Sequence, residues 1–258
     1  MRDRYFDYDR SLTMRCFMIV LPFVFSFAAC LLIAIIAYVR PPYAAQGAFI
    51  GWSYLQAVLL CLLLAALTAN LFTKERERGN LDMLRMTLVE DSQVIGGKLG
   101  TAAYIARTMF LSALAGSLPL LLAGPPLASN AFAAYCLLAI AMLIECLALV
   151  TLVSCFASLV SNKTTISIVL SIVLGAIALF GNVFFLIVFF RIFPPRENLD
   201  WLVGVSPLLT FAINTGGPQD RIHEFGATIF CIAFTAAECW AYWLLCKRVY
   251  RFRYNSGS

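Results

Sequence analysis

The feature that most constrains this chain is a series of six long apolar stretches. A helix needs about 20 mostly apolar residues to cross the roughly 30 Å of hydrocarbon in a membrane. Lipid offers the backbone no hydrogen-bond partner, so the spans are predicted to be helices, and the two-residue alternation of a membrane barrel is absent. The predicted spans are residues 16–39, 49–72, 99–123, 131–160, 164–190 and 225–246.

The composition predicts an all-α, polytopic membrane protein with one transmembrane domain, residues 1–254. Hydrophobic residues make up 62% of the 258 and charged residues only 13%, about half the charged share of soluble domains. The nine cysteines lie in or beside apolar segments without a Cys-x-x-Cys pair, so neither a disulfide framework nor a metal site is predicted. The net charge of +5 comes from basic residues beside the spans, where membrane lipids are the expected partner and nucleic acid is not.

The distribution of Lys and Arg predicts the orientation of the spans. Fourteen lie in the connections on one side and four in those on the other, and the basic side of a multi-pass protein faces the cytoplasm. Both termini and the connection 73–98 are therefore predicted to be cytoplasmic. The first fifteen residues mix aromatic and basic side chains, which favours a short helix at the membrane surface. A disordered basic tail is the alternative.

The longest connection on the opposite side is residues 191–221. Its apolar middle, 199–214, is too short to cross the membrane and lies between a Pro-Pro pair and a Gly-Gly-Pro turn. This pattern predicts an external re-entrant or interfacial hairpin. The last four residues, 255–258, are predicted to be an added tail outside the domain.

The connection 73–98 concentrates charge in an otherwise apolar chain. The run Thr-Lys-Glu-Arg-Glu-Arg predicts a solvated helical extension of the second span. Gly79 breaks it, Asn80 is a good N-cap and Asp82 suits the first turn of a new helix. That short helix presents one apolar face, formed by Leu81, Leu84 and Leu88. An ordinary charged connection between two spans is the alternative.

Three ionisable residues lie inside predicted spans: Arg107, Glu145 and Glu238. A charge in hydrocarbon is costly, so these side chains are expected to face the bundle interior, a partner or a water-filled path. They are interpreted as part of a transport route, as a structural pair between Arg107 and one of the glutamates, or, for Glu145, as a neutral protonated side chain. In the fifth span, the small residues Ser171, Gly175 and Ala178 suit close helix contact, within one subunit or between two.

No catalytic pattern is present, so the chain is not expected to be an enzyme. The Gly-rich segment 96–100 lacks the spacing and the Ser or Thr of an ATP-binding phosphate loop. The single histidine, His223, lies at the outer end of the sixth span, without a zinc-protease or serine-hydrolase motif.

The loop sequence resembles that of the permease subunits of type 2 ATP-binding-cassette (ABC) transporters. In that family the loop approximates E-[KR]-E-x-G-[TS]-L-[ED]-x-L-x-x-[TS]-P-[LV], followed by I-x-x-G-K. The chain departs from the pattern at Asn80, which still caps, and at Leu88, where proline is usual. The matching residues are Glu75, Arg76, Glu77, Gly79, Leu81, Asp82, Leu84, Thr87, Val89, Gly97 and Lys98, together with Ile95, which stands one position nearer to Gly97 than in the pattern.

The resemblance implies a six-span inner-membrane exporter permease that pairs with a second copy, as a homodimer or heterodimer, and with a cytoplasmic ABC ATPase dimer. No cofactor is implied on this chain, because ATP and Mg bind the ATPase. A secondary transporter or channel, and a non-transport module that acts mechanically on a partner protein, are the alternatives. The residues implied in coupling to the ATPase, through a short coupling helix, are Glu75, Glu77, Gly79, Asn80, Leu81, Asp82, Leu84, Arg85 and Lys98.

Overall fold

A computed structural model of the protein describes residues 2–39, 42–77, 91–117, 130–192 and 221–255. In these ranges the chain forms α-helices and no strand, which confirms the all-helical prediction. The helices are α1 (Arg2–Val39), α2 (Pro42–Thr68), α3 (Thr73–Glu77), α4 (Asp91–Gly116), α5 (Asn130–Val160), α6 (Thr164–Ile192) and α7 (Arg221–Asn255).

Three helical stretches in the described part of the chain are long and apolar enough to cross a membrane. They are Cys16–Ile35, Ala48–Glu77 and Cys136–Val160, and Thr164–Phe180 is a shorter apolar helix. These stretches coincide with the predicted first, second, fourth and fifth spans, so the chain is a multi-pass membrane protein. The predicted third and sixth spans fall in α4 and α7, and the total of six stays a prediction.

The helix ends differ from most of the predicted boundaries, and two of the differences change an interpretation made from the sequence. The predicted surface helix and the first span are one continuous helix, because α1 runs without a break from Arg2 to Val39. The predicted external hairpin falls between the end of α6 at Ile192 and the start of α7 at Arg221, and its residues 193–220 lie outside the described ranges. Asn255, placed in the predicted tail, is the last residue of α7.

The chain divides into two compact units. The first comprises Met1–Leu60 and Tyr104–Leu137, and the second comprises Cys61–Ala103 and Leu138–Ser258. In the first unit α1 packs against α2, where Gln56 Nε2 donates a hydrogen bond of 2.9 Å to Ser26 Oγ. Both side chains are buried, and such interhelical hydrogen bonds contribute about 0.6 kcal/mol each in a membrane protein.

Pro22 lies inside α1, where a proline would be disruptive in a soluble helix. A proline has no N–H, so a backbone carbonyl in the preceding turn loses its usual helical partner. In membrane helices a hydroxyl from a neighbouring helix can satisfy such a carbonyl. The carbonyl that loses its partner is that of Met18, four residues before Pro22. Ser112 of α4 donates to the next carbonyl, that of Ile19, and so attaches α4 to the same turn of α1.

Gly116 allows the end of α4 to lie directly against α1. A Cβ atom at this position would lie 2.6 Å from the carbonyl oxygen of Phe23 and 2.7 Å from Ser26 Cβ. The Phe23 oxygen belongs to the backbone of α1, so it cannot move away from an added Cβ unless the helix itself shifts. The close approach of the two helices therefore depends on the missing side chain at position 116.

In the second unit, α5 supplies buried side chains along its whole second half, from Cys146 to Leu159. Gly175 of α6 packs beside it, and a Cβ atom there would lie 3.9 Å from Val150. Ser171, Gly175 and Ala178 are all buried within this chain. The small-residue face of the fifth span therefore serves packing within the subunit. The exposed side of α6 is apolar and carries Ile166, Val169, Val173, Ile177 and Phe180.

Replacing Gly116 by alanine is expected to destabilise the protein, because the added methyl group overlaps the α1 backbone. Overpacking of this kind costs about 1–3 kcal/mol. Gly100→Ala is the matched control on the same helix, since nothing lies within 4 Å of its Cβ position, and alanine favours the helix by up to about 1 kcal/mol. Size-exclusion profiles of heated, detergent-solubilised protein measure both variants. A wild-type melting temperature for Gly116→Ala would contradict the close approach.

Candidate functional site

The candidate site begins where α2 gives way to α3. A four-residue turn, Ala69–Phe72, separates the two helices. The backbone N–H groups of Phe72 and Thr73 both donate to Ser158 Oγ of α5, at 2.9 and 3.3 Å. All three residues are buried. A side chain of α5 therefore satisfies two amides that the helix itself leaves unpaired at the turn.

Arg76 of α3 bonds to the carboxyl end of α5. Its guanidinium donates to the carbonyls of Leu159, at 3.1 Å, and Ser161, and to Asn162 Oδ1 at 3.3 Å. The last carbonyls of a helix have no intrahelical partner, and a cation at this end is favoured by the helix dipole. The planar fork of arginine can satisfy several such oxygens at once. Arg76 therefore caps α5.

Glu77 bonds to the amino end of the next helix. Its Oε1 accepts a hydrogen bond of 2.8 Å from the backbone N–H of Thr164, the first residue of α6. A carboxylate is favoured at a helix amino terminus, and this N–H lowers the pKa of the Glu77 carboxyl below its ordinary value of 4.5. The stabilisation is present at neutral pH and is lost as the pH falls through the lowered pKa.

Glu75 connects α3 to α4. Lys98 Nζ donates to Glu75 Oε1 in an ion pair, and each side chain keeps about a quarter of its surface exposed, 23% for Lys98 and 27% for Glu75. Pairs with this exposure contribute up to about 1 kcal/mol. The ion pair ties the segment before the loop to the helix after it. Glu75, Arg76 and Glu77, with their partners in α4, α5 and α6, are called the α3 clamp below.

An apolar cluster in the second unit includes residues next to the clamp. Its buried members come from the turn after α2, the start of α4 and the ends of α5 and α7: Phe72, Ile95, Leu159, Cys246 and Tyr250. The rings of Phe72 and Tyr250 lie 6.5 Å apart, in aromatic contact. The half-buried residues packed against the cluster are Leu71, Val94, Phe156, Trp243 and Val249.

The structure describes three of the nine predicted coupling residues. Glu75, Glu77 and Lys98 come together in the α3 clamp, where they bond to this chain. The other six predicted residues lie outside the described ranges, between residues 77 and 91. They are Gly79, Asn80, Leu81, Asp82, Leu84 and Arg85, and their coupling role stays a prediction.

Two residues of the site were not predicted from the sequence. Arg76 matched the loop pattern, but nothing in its neighbours indicated that it caps a helix some eighty residues later in the chain. Ser158 lies in an apolar span, where a serine usually bonds to its own helix. The polar stretch 161–163 signalled a turn between the fourth and fifth spans. It could not identify α3 as the partner of that turn.

The three intramembrane charges lie in different surroundings. Arg107 is on the exposed side of α4 in the first unit. In the second unit Glu145 is partly buried, and its Oε2 accepts a hydrogen bond from Cys231 Sγ at 3.2 Å. Glu238 is also partly buried, on α7. A role for these residues in transport, or in a structural pair, stays a prediction.

The clamp can transmit force, because it holds both ends of the loop and two further helices by directional bonds. In the described part of the chain, no group of three or more His, Cys, Asp or Glu side chains could hold a metal ion. The charged side chains of the clamp are an arginine, a lysine and two glutamates that bond to backbone groups, to each other and, for Arg76, to the Asn162 side chain. Their chemistry is structural and electrostatic.

A comparison with protein families places this arrangement in context. The model of the family described as "ABC-2 family transporter protein" matches residues 11–178, more than half of the chain. The matched region includes the whole loop and the described residues of the α3 clamp. No match was found among curated proteins.

Replacing Arg76 by alanine is expected to destabilise the protein by about 1–2 kcal/mol, because carbonyls at the end of α5 lose their donor. Lys74→Ala is the matched control, since it removes one positive charge from an exposed position of the same helix. Heated size-exclusion profiles should show a lower melting temperature for Arg76→Ala alone. Equal melting temperatures for the two variants would contradict the capping role.

Proposed function

This chain belongs to the ABC-2 transporter family, and we propose that it is the membrane permease of an ATP-driven exporter in the inner membrane. As a permease of this family it works with an ABC ATPase. We propose further that the complex contains two permease copies, most simply a homodimer, with both termini in the cytoplasm. ATP hydrolysis on the ATPase would move a substrate outward.

The observation that carries the proposal is the α3 clamp. The loop is the segment between Glu77 and Asp91, residues 78–90, which lies outside the described ranges. At its departure, Arg76 and Glu77 are bonded to the ends of α5 and α6. The segment before the loop and the helix after it are joined by the ion pair of Glu75 with Lys98. A displacement of the loop is therefore transmitted to four helices, α3, α4, α5 and α6.

In the proposed mechanism the loop docks on the ATPase and the clamp transmits its motion. Leu81 and Leu84 supply the apolar contact, with Asp82 and Arg85 as polar partners beside it. Gly79 and Asn80 separate this docking helix from α3 and cap it. The resemblance implied that Glu75 and Glu77 also face the ATPase. In our proposal they act through their bonds within the chain.

The link from the clamp to the membrane runs through the helices themselves. α4, α5 and α6 each begin or end at the clamp and continue into apolar helix, so they can tilt as rigid elements when their ends are moved. The charge-assisted bonds are directional, and those of Glu75 and Arg76 are partly buried, which suits the transmission of small displacements. Closure of the ATPase pair would thus change the packing of the membrane helices.

The docking assignment is tested by co-purification of an ATPase with the tagged permease in detergent. The double variant Leu81→Asp/Leu84→Asp should lose the ATPase, because two carboxylates cannot enter an apolar groove without a large desolvation cost. Met86→Asp is the control, since Met86 lies on the opposite face of the predicted short helix. Retention of the ATPase by the double variant would refute the docking role, and absence of any ATPase from the wild type would favour a secondary transporter or channel.

The transmission role is tested by charge reversal in the ion pair of Glu75 with Lys98. Each single variant, Glu75→Lys or Lys98→Glu, places like charges together and should lower the permease-dependent ATP hydrolysis severalfold while the ATPase stays bound. The double reversal restores an opposite pair and should recover most of the rate. Identical rates in the single variants and the wild type would show that the pair does not transmit motion.

A further inference from the structure

At the turn between α2 and α3, backbone groups that would pair with each other in a continuous helix are bonded to side chains of other helices instead. In an unbroken helix, the N–H groups of Phe72 and Thr73 would donate to the carbonyls of Thr68 and Ala69. Here both N–H groups donate to Ser158 Oγ. The carbonyl of Thr68 instead accepts the N–H of Leu71, at 3.2 Å, in a tighter turn.

The second freed carbonyl has its own replacement partner. Ser167 of α6 donates its hydroxyl to the carbonyl of Ala69 at 2.6 Å, and Thr73 Oγ1 donates to the same oxygen at 3.3 Å. Ala69, Thr73, Ser158 and Ser167 are all fully buried. Water therefore does not satisfy these groups, and the break in the helix depends on the two serines.

Ser158 and Ser167 differ from a pattern that recurs among the described hydroxyl groups of this chain. A serine or threonine in a membrane helix commonly bonds to the carbonyl four residues earlier in its own helix. Eight described side chains bond to the carbonyl four residues earlier, with distances of 2.6–3.3 Å: Ser53, Thr68, Thr73, Thr101, Thr108, Ser117, Thr151 and Ser161. Ser158 and Ser167 reach a different helix, and both reach the same turn.

The same groups can be satisfied in a second arrangement. If Ala69–Phe72 became α-helical, the Phe72 and Thr73 amides would regain the carbonyls of Thr68 and Ala69. The two serine hydroxyls could then bond within their own helices, as the others do. The Phe72 and Thr73 amides and the Ala69 carbonyl have partners in either arrangement, so the two states can have similar free energies.

We propose that Ala69–Phe72 is a two-position hinge: it is the four-residue turn seen here, called the kinked state, and becomes α-helical, the straight state, in another state of the transport cycle. Ser158 and Ser167 are the positioning residues that stabilise the kinked state. When the turn straightens, α3 and the loop move relative to α2. The bonds of the turn to Ser158 of α5 and Ser167 of α6 are then broken. This inference rests on the proposed function, because it assigns the hinge to the segment through which the ATPase would move the permease.

Variants can shift the hinge in opposite directions. Ser158→Ala/Ser167→Ala removes the bonds that favour the kink and should raise the ratio of straight to kinked molecules roughly tenfold, equivalent to about 1.4 kcal/mol. Thr73→Pro should favour the kink, because proline costs about 3 kcal/mol or more inside a continuous helix, whereas in the kinked state it removes only the longer of the two amide bonds to Ser158, at 3.3 Å. Thr73→Ala, which keeps the N–H, is its control.

The matched control for the serines lies one turn away on the same helices. Ser154 and Ser171 are fully buried, and their hydroxyls have no hydrogen-bond partner among the described residues. Ser154→Ala/Ser171→Ala therefore makes the same chemical change on α5 and α6 without touching the turn. This variant should leave the hinge equilibrium unchanged.

The test measures a distance across the hinge in the complete complex of permease and ATPase. Leu62 and Lys74 are each replaced by a genetically encoded amino acid that carries a spin label. Both positions are exposed, one before the turn in the sequence and one after it. In a straight helix their backbones would be about 18 Å apart along the axis. Pulsed electron paramagnetic resonance compares nucleotide-free complex with complex trapped by ATP and vanadate, with labelled permease diluted by unlabelled copies.

The proposal expects two distances whose populations change with nucleotide. The Ser158→Ala/Ser167→Ala variant should shift toward the straight distance in both nucleotide states, and Thr73→Pro should give the kinked distance in both. One unchanged distance in all variants, with the ATPase bound and active, would overturn the hinge while leaving the proposed function intact. Failure of the ATPase to bind the wild-type permease would instead overturn the proposed function.

Discussion

The unpaired backbone groups where α5 ends and α6 begins are the constraint on which the rest of the site depends. A helix leaves its first amides and last carbonyls without partners, and near a membrane these groups cannot all be left to water. Here the short helix α3 supplies both partners from adjacent residues. Arg76 serves the carbonyls of α5 and Glu77 serves the first amide of α6. Each charge has the sign that the facing helix dipole favours.

This arrangement attaches the loop to the bundle. In the kinked state α3 covers the ends of α5 and α6, and Lys98 extends the same connection to α4. Glu75, Arg76 and Glu77, which their charge alone would place in water, therefore hold helices together. In a family whose permeases work with an ABC ATPase, a segment bonded to several spans is a suitable place for mechanical input.

Hydroxyl groups perform a related task inside the second unit. Serine and threonine are compatible with apolar helices because each can bond to a carbonyl of its own helix. They can also exchange that bond for one to a neighbour at little cost in free energy. At Ala69–Phe72 two serines have made the exchange, and Ser112 does the same beside Pro22. Helix breaks and irregular turns are thus stabilised without charged side chains.

The sequence by itself determined the helical class, the apolar spans and the loop whose pattern resembles the ABC permeases. Length and hydropathy are enough for these features, because lipid admits few backbone conformations. Sequence reasoning also selected Glu75, Glu77 and Lys98 as a group, although as contacts to the ATPase. The continuity of α1 from Arg2 was missed, since charged and aromatic residues indicate a surface helix without marking where a following span begins.

Only the tertiary structure decided which groups bond to one another. Arg76 and Ser158 are 82 positions apart, and their roles depend on α3 lying against the turn between α5 and α6. A periodic pattern reports which face of a helix is apolar, and it carries no information on the partner of a single polar atom. Long-range hydrogen bonds depend on the packing of whole helices. For that reason the sequence could locate the loop, and the fold was needed to show how the loop is attached.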